Sequence, residues 1–486
     1  MSRLAKYTPC PVPAYVGNPL IEALPPIMSV ATAAELVSYF PPLPDSERDL
    51  PNEIRLHCID ELRTVVRPMP IHLELEAAVS TLIRRGYVNR NALKSETMRH
   101  LYGLAGRGGT ATNFTSSAYS FSLVGLSGMG KSTALHSVLK LIPQVIEHQR
   151  YQGREFFQTQ ITWLKVECPY DGSLKTLCLG FFKALDDAVG GGSNVQFDVG
   201  ATSSIGTLIK KMVLAASTYF IGALFIDELQ NLNTAKSGGK ENMLNFFLQL
   251  VNDIGIPVVF IGNNSMIDLF KGVLRNARRC SGLGLLDFKR PEQHDEVWTM
   301  VLEDLWEYQW VRHPAQLTPA LAKNLYYHSQ GITDILAKLL VLGQRYAIQS
   351  GIETLNESVF DHISATKLIL LQPALDCLRT GNTGKLALFE DLMPTKEQLD
   401  EMMIVTQETT KSSLAILRLA KPDDSTRRAR AAPVLQVEAL VRRPAVRSAT
   451  SLARQIAEAE DVESELIRQG WLTQDVLEFS PFYCMH

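Results

Sequence analysis

Apolar residues follow two different periods along this chain, and the period predicts where strands and helices lie. Short apolar runs typical of buried strands occupy 119–125, 160–168, 221–227 and 256–262. Apolar residues at helical spacing occupy 131–142, 173–189, 207–218 and about 240–254. Strands that alternate with helices of ten or more residues favour parallel pairing through right-handed crossovers. We therefore predict a parallel three-layer α/β sheet within residues 119–290.

The segments before this region are less regular. The first fifty residues hold LPPIM at 24–28 and FPPLPDSE at 40–47, and prolines at this spacing disfavour helices, so we expect extended chain that packs on the fold or binds a partner. Residues 71–86 have helical spacing and end in Arg-Arg-Gly, which predicts a helix that stops at Gly86. The polar stretch 106–117 is a predicted loop, and 190–206 a predicted flexible connector.

After the predicted sheet, the strand pattern disappears. Apolar spacing is helical from 292 to about 390, which predicts an all-helical lid. The tail beyond 420 contains an arginine-rich run, interpreted as a tethered arm for an acidic partner or DNA, or equally as a solubilising linker. The predicted domains are an N-terminal extension (1–105), an α/β nucleotide-binding domain (106–290), the lid (291–395) and a C-terminal tail (396–486).

Composition narrows the classes of protein. The 486 residues carry a formal net charge of −3 and are 46% hydrophobic, with no apolar run of the 18 residues needed to span a bilayer. Prolines interrupt the N-terminal stretch where a secretory signal would be apolar. The seven cysteines are scattered without a C-x-x-C pair, which favours neither a disulfide framework nor a zinc site. We expect a cytoplasmic protein with no membrane partner, in which only a local basic track could bind nucleic acid.

The strongest motif is GLSGMGKS at 125–132, which fits G-x-x-x-x-G-K-[ST] and lies between a predicted strand and a predicted helix. Its glycines allow amide groups to converge on phosphate, Lys131 offers a cation to the β- and γ-phosphates, and Ser132 can bind Mg²⁺. The plain alternative is a glycine-rich turn that only joins strand to helix. The residues expected to bind nucleotide are Gly125, Ser127, Gly128, Gly130, Lys131, Ser132, Thr133 and Asp227.

Polar side chains also end the next two apolar strands. Asp227 and Glu228 follow ALFI, at the edge where α/β sheets bind ligands. Asp227 is expected to hold Mg²⁺ together with Ser132, and Glu228 to orient or deprotonate the attacking water. Asn263 and Asn264 follow the strand at 256–262, and Asn263 is the favoured sensor of the γ-phosphate, although asparagine is also an ordinary turn residue.

A cluster of arginines follows in LRNARRC. Arg275, Arg278 and Arg279 have few acidic neighbours in sequence. One of them could reach the nucleotide of an adjacent subunit as an arginine finger. The alternative is a solvated basic helix end.

The order of P-loop, Asp-Glu strand, polar strand end, arginine cluster and helical lid resembles an AAA+ P-loop NTPase. Several blocks are moreover similar to the TnsC and TniB regulators of transposons with heteromeric transposases, from about residue 18 to about 395. These blocks are NPLIEALPP (18–26), IRRGYVNRN (83–91), PQVIEH (143–148), DGSLKTLCLGFFKALD (171–186), IDELQNL with SGGKENMLNFF (226–247), LRNARR (274–279) and SQGITDI (329–335). The chain departs from many AAA+ proteins at Asp334, where they place a sensor arginine, and the tail beyond 420 shows no match.

The resemblance implies an ATPase, hydrolysing ATP to ADP and phosphate with ATP and Mg²⁺ as cofactors, in the bacterial cytoplasm. It implies a homo-oligomer, a ring or spiral filament of hexameric or heptameric type, on double-stranded DNA. Its partners would be transposase subunits and a target-selector protein. By position, Lys175 and either Thr202 or Ser203 would contact the DNA backbone without reading sequence. The open alternatives are a helicase-loader or initiator-like ATPase, and a STAND-like nucleotide switch that binds a protein ligand without DNA.

Overall fold

The computed structural model describes residues 2–104, 116–192, 196–200, 202–234, 243, 246–247, 250–266 and 284–381. These residues lie within one compact unit, Met1–Pro422. Within the described ranges, no helix combines the length and apolarity that a bilayer crossing requires. The predicted tail at 396–486 lies outside the described residues.

Strands and helices are numbered in chain order over the described residues. The strands are β1 (Ser2–Leu4), β2 (Phe121–Gly125), β3 (Val145–Tyr151), β4 (Arg154–Ile161), β5 (Trp163–Glu167), β6 (Ala223–Asp227), β7 (Val258–Gly262) and β8 (Leu285–Phe288). The helices are α1 (Pro19–Glu22), α2 (Val30–Val37), α3 (Asn52–Cys58), α4 (Pro70–Val88), α5 (Ser95–Leu104), α6 (Lys131–Leu139), α7 (Leu174–Val189), α8 (Ile205–Thr218), α9 (Glu296–Trp306), α10 (Pro319–Ser329), α11 (Thr333–Gln349), α12 (Glu357–Thr366) and α13 (Gln372–Thr380).

The central sheet has five strands in the order β5-β6-β7-β2-β8, and all of its pairings are parallel. The chain enters the sheet at β2, passes over two positions to β5, and returns through β6 and β7 towards β2. This arrangement confirms the predicted parallel α/β fold. The edge strand β8 was not predicted, because it is only four residues long and Asp287 interrupts its apolar run.

Alternate residues of the sheet pack into two separate cores. On one face, Phe225, Ile261 and Leu123 pack against α4, α6 and helices of the lid. On the other, Ile226 and Phe260 pack against α7 and α8. The strands read as continuous apolar runs because both faces are covered.

A second, smaller sheet was missed by the sequence analysis. It has the order β1-β3-β4, with β1 parallel to β3 and β3 antiparallel to β4. The predicted strand at 160–168 spans the end of β4 and all of β5. The β3–β4 turn contains Gln152 and Gly153, both with positive φ (48° and 79°), as tight hairpin turns require. This Gln-Gly pair between two runs with a strand-like pattern is a sequence feature from which the hairpin could have been predicted.

The proline-rich N-terminal segment contains helices, so the expectation of extended chain was wrong there. In α1, Pro19 occupies the first turn, where a missing N–H costs nothing, and the Asn18 side chain caps the Leu20 N–H. In α2, Ser29 caps the Thr32 N–H. The segment also packs on the fold, since Tyr151 donates to the buried Glu22 carboxylate at 2.7 Å.

Helix α4 does not stop at Gly86 as predicted but continues to Val88. A Cβ at Gly86 would lie 2.6 Å from Cγ of Pro257, just before β7. This glycine therefore serves a close approach of helix to sheet, not a helix end. The side chain of Arg90 fixes the same junction, donating to the carbonyls of Gly86 and Ile221.

Residues 296–380 contain helices α9 to α13, with no strand among the described residues of that range. Their buried side chains join the same core as α4 and one face of the sheet. The N-terminal segment is tied to them as well: the buried Arg55 of α3 pairs with Glu353 at 2.6 Å and donates to the Trp310 carbonyl at 2.9 Å. N-terminal segment, sheet and lid helices thus share one continuous core.

Candidate functional site

The motif residues meet at the carboxyl edge of the central sheet. The P-loop follows β2, Asp227 ends β6, and Asn263 follows β7, so these residues come from three consecutive neighbours in the sheet. The strand order reverses direction here, since the chain leaves β2 for β5 and comes back to β7. Such a switch point opens a crevice in which α/β sheets bind ligands.

The P-loop conformation depends on its glycines. Gly128 and Gly130 have φ of +80° and +90°, and Gly130 forms the N-cap of α6. A Cβ at Gly125 would lie 2.5 Å from Cβ of Phe288, so only glycine lets β2 pass β8 here. Lys131 Nζ donates to the carbonyls of Gly125 and Leu126 at 2.8 and 2.9 Å, which keeps the ammonium over the loop.

The lid helix α11 docks directly on the P-loop. The Gly128 carbonyl accepts hydrogen bonds from the Asp334 N–H at 3.0 Å and from the Thr333 hydroxyl at 3.1 Å. The Asp334 side chain pairs with Lys338 on the same helix. Asp334 therefore contributes its backbone amide to this contact, in the place where many AAA+ proteins have a sensor arginine.

The two acidic residues after β6 are held by different partners. Asp227 is 5% exposed, and its Oδ2 lies 2.7 Å from Nζ of Lys165 on β5. Glu228 is exposed and has a left-handed backbone (φ 56°), a strained conformation for a residue with a Cβ. Its carboxylate accepts a hydrogen bond from Gln230, whose side-chain oxygen accepts from the Asn263 N–H at 3.2 Å.

Asn263 is buried at the same edge and lines the same cavity as the P-loop. Its Oδ1 accepts from the Ser265 N–H at 3.0 Å and from the Ser265 hydroxyl at 2.7 Å. The side chain thus organises the turn after β7, which is the ordinary role of asparagine that the sequence left open. Asn264 is buried beside it.

These residues surround a cavity of about 570 Å³. The P-loop, Asp227, Glu228 and Asn263 form its polar side. The segment before α4 and the lid helices supply the rest of the lining, whose apolar members are here called the apolar wall: Leu62, Val65, Val66, Met69, Val301, Leu305 and Ala337. The same segment and the start of α4 also contribute Arg63, Arg67 and His72 to the lining. A cavity with one apolar and one polar wall suits a nucleotide, with the base on the first and the phosphates on the second.

The apolar wall was missed by the sequence analysis, which assigned residues 1–105 to a partner-binding extension. No local pattern marks it, because its members come from the segment around Val65 and from α9 and α11, far from the P-loop on either side in sequence, and meet it only through the fold. A buried ion pair joins the segment before α4 to the lid. Arg67 Nη1 lies 3.0 Å from Asp304 Oδ2 on α9, and both side chains are less than 7% exposed. Burial also lowers the pKa of His72, another cavity residue, to about 4, so its imidazole is neutral at pH 7.

The geometry fits a nucleotide with Mg²⁺. Ser132 and Asp227 both line the cavity, and hydroxyl and carboxylate oxygens are the ligands that Mg²⁺ takes. The left-handed glycines form a loop whose amides can face phosphate. Ser127 and Thr133 line the cavity alongside them.

Lys175 and the residue pair Thr202 and Ser203 lie at helix starts. Lys175 is in the first turn of α7, which follows the carboxyl end of β5, and Ser203 precedes the N-cap of α8. Because α8 ends just before the amino end of β6, its start also lies towards the carboxyl edge. Lys175 and Ser203 are partly exposed and Thr202 is exposed. Arg275, Arg278 and Arg279 lie outside the described residues.

The segment that contains the P-loop is similar to a known protein family. Residues 114–270 match the family model described as AAA domain. The α/β core has an AAA+ P-loop fold. The matched segment contains the P-loop, Lys165, Asp227, Glu228 and Asn263, so the AAA domain holds the polar side of the cavity. Comparison with curated proteins gave no match.

Several solved structures are similar at low identity. They include Cdc6p from Pyrobaculum aerophilum (12% identity, 54% of this chain and 64% of that chain, TM-score 0.34), the ADP form of ORC2 from Aeropyrum pernix (12%, 57% and 68%, 0.35), and Drosophila ORC bound to DNA (13%, 74% and 82%, 0.36). The chain thus spans less than two thirds of the length of the first. The fold assignment rests on the strand order and the family match.

Proposed function

We propose that this chain is an AAA+ ATPase that binds and hydrolyses ATP with Mg²⁺ and uses its nucleotide state to assemble on duplex DNA. In the full form of the proposal, it regulates transposition by linking a target-selector protein to transposase subunits. The observation that carries the ATPase part is the cavity of about 570 Å³, where the P-loop and Asp227-Glu228 face an apolar wall.

The P-loop side of the cavity would hold the phosphates. The Lys131 ammonium, which donates to the Gly125 and Leu126 carbonyls, would turn to a phosphate oxygen. Ser132 and Asp227 would hold Mg²⁺, which when bound neutralises the charge on the phosphates. The base would lie against Val65, Val66 and Leu305.

Glu228 is the side chain placed to act on the attacking water. It is exposed, lines the cavity, and is the only carboxylate of the cavity's described lining besides Asp227 and Asp334. Asp227 is engaged by Lys165, and Asp334 by Lys338. Gln230 donates to Oε2 of the Glu228 carboxylate, and the other oxygen, Oε1, could accept the proton of the attacking water.

The lid contact offers a way to couple nucleotide to assembly. Thr333 and Asp334 bind the Gly128 carbonyl, so a change in the P-loop on nucleotide binding acts on the start of α11. A ligand shifts such an equilibrium only by its differential affinity for the two arrangements. A nucleotide that favours one lid position would therefore also favour the assembly state that this lid position allows.

The DNA part of the proposal rests on the block similarity to TnsC and TniB regulators and on two helix starts. Lys175 and the pair Thr202 and Ser203 lie towards the same sheet edge, at the starts of α7 and α8. One lysine and one hydroxyl per subunit, repeated around an assembly, would give a row of phosphate contacts without a basic chain. The net charge of −3 agrees with this arrangement.

The test is a mobility-shift assay with duplex DNA, with and without a non-hydrolysable ATP analogue, followed by electron microscopy of the bound fraction. We expect analogue-dependent binding and ordered oligomers, and neither from Lys131→Ala. Nucleotide binding with no DNA binding would favour the STAND-like switch instead. Analogue-dependent DNA binding with co-purification of a helicase in place of a transposase would favour the initiator-like alternative.

A further inference from the structure

The side chain of Lys165 occupies a position that the nucleotide chemistry above does not use. In the register of β5 and β6, Lys165 lies opposite Phe225 and Glu167 opposite Asp227. Side chains two residues apart on a strand share a face, so Lys165 and Asp227 point to the same side of the sheet. Their Nζ and Oδ2 atoms are 2.7 Å apart.

Both oxygens of Asp227 are engaged in this arrangement. Oδ1 accepts from the Glu228 N–H at 3.0 Å, and Oδ2 accepts from Lys165. The Asp227 side chain is 7% exposed, and Glu167, which is exposed, lies opposite Asp227 in the register. A buried carboxylate is unfavourable unless a cation or hydrogen-bond donors compensate its charge. Lys165 supplies that cation.

The Lys165 side chain can also move away from Asp227. Its side chain is 34% exposed while that of Asp227 is 7% exposed, so the ammonium can swing into solvent on its flexible stem. The Lys165 ammonium therefore places one positive charge at Oδ2 of Asp227, an oxygen of the carboxylate that would bind Mg²⁺. A divalent cation and an ammonium group would compete for the same carboxylate oxygen.

We propose that Lys165 is a stand-in cation that pairs with Asp227 when no metal is bound and competes with Mg²⁺ for its carboxylate. The proposal rests on the proposed nucleotide function and adds a regulatory element to it. Lys165 would keep Asp227 neutralised until the metal arrives together with nucleotide phosphates, which supply the additional ligands that free Mg²⁺ lacks. Lys165 is then a positioning residue, acting on the metal through Asp227.

The first experiment measures binding of a fluorescent, non-hydrolysable ATP analogue to the full chain as Mg²⁺ is titrated. For Lys165→Met we expect the half-saturating Mg²⁺ concentration to fall about three- to tenfold, because the competing charge is gone. Lys165→Arg, which keeps a cation, should stay near wild type. Lys140→Met is the matched control, since Lys140 is an exposed lysine at the end of α6 that has no contact with Asp227 among those described. An unchanged or raised half-saturating concentration in Lys165→Met, with the analogue still bound, would overturn the proposal.

The second experiment is thermal melting in EDTA, which needs no nucleotide. Lys165→Met should melt at a lower temperature than Lys140→Met, because it leaves the buried Asp227 carboxylate without its cation. The double variant Lys165→Met with Asp227→Asn removes that charge as well and should recover the lost melting temperature. Equal melting of the three would contradict the proposed pairing. If Lys165→Met does not fold, Lys165→Gln serves in both assays. Wild-type protein that binds no nucleotide would refute the proposed function, while the melting experiment would still decide the role of Lys165.

Discussion

The contact between lid and P-loop makes a quantitative prediction at Gly128. A Cβ at this residue would lie 3.0 Å from Cγ2 of Ile332 and 3.3 Å from Cβ of Asp334, and φ is +80°. Alanine in a left-handed conformation costs about 1–2 kcal/mol. Displacing α11 would also weaken the bonds from Thr333 and Asp334 to the Gly128 carbonyl, at about 0.5–1.5 kcal/mol each. We therefore expect Gly128→Ala to cost roughly 2–5 kcal/mol in total.

Gly153→Ala is the control for the cost of alanine in a left-handed backbone conformation. Gly153 has φ of +79° in the β3–β4 turn, and nothing lies within 4 Å of its Cβ position. Both variants carry the left-handed penalty, but only Gly128→Ala disturbs the lid. The loss of the lid contact, about 1–3 kcal/mol, corresponds to roughly a 5- to 150-fold weaker affinity for ATP.

Two measurements check this reasoning. Calorimetric titration with ATP should show the loss of affinity in Gly128→Ala and near wild-type affinity in Gly153→Ala. Hydrogen exchange of the Asp334 amide, which donates to Gly128, should be faster in Gly128→Ala only. If both variants bind ATP alike and the Asp334 amide exchanges at one rate in both, the lid does not depend on this contact.

Three further predictions concern other parts of the site. Glu228→Gln should slow phosphate release at least tenfold while ATP binding persists, since water activation is lost; normal turnover would place the base elsewhere. Lys175→Ala should weaken binding to any duplex and reduce the salt slope of DNA affinity by about one, whereas Lys183→Ala on the same helix should not; equal slopes would exclude Lys175 as a phosphate contact. His72 has a pKa of about 4 when folded against about 6.5 unfolded, so the unfolded chain binds the extra proton and stability falls as pH drops from about 6.5 towards 4. His72→Gln should remove up to about 3 kcal/mol of that loss in denaturant titrations, and an unchanged acid limb would assign it to other groups.

The sequence predicted the polar side of the cavity because its signals are local. A P-loop needs glycines at fixed spacing, and Asp227 follows its strand directly, so both can be found without knowing what lies nearby. The parallel sheet followed from alternating periods for the same reason. The arginine cluster and the tail stay predictions.

What the sequence could not predict depends on contacts between distant segments. Gly86 has the pattern of a helix end, and only its approach to Pro257 explains why the helix continues. Lys165 looks like an ordinary strand lysine until β5 and β6 are placed in register. The part of the apolar wall near Val66 precedes the predicted helix at 71–86, and no local pattern links it to the P-loop.

The central claim is that the cavity binds ATP through the P-loop. Isothermal titration calorimetry of the full chain with ATP and Mg²⁺, beside Lys131→Ala, tests it most directly. The account predicts saturable binding of one ATP per chain in the wild type and a loss of at least tenfold in affinity for Lys131→Ala. No heat of binding in folded wild-type protein, or equal affinity in the variant, would contradict it.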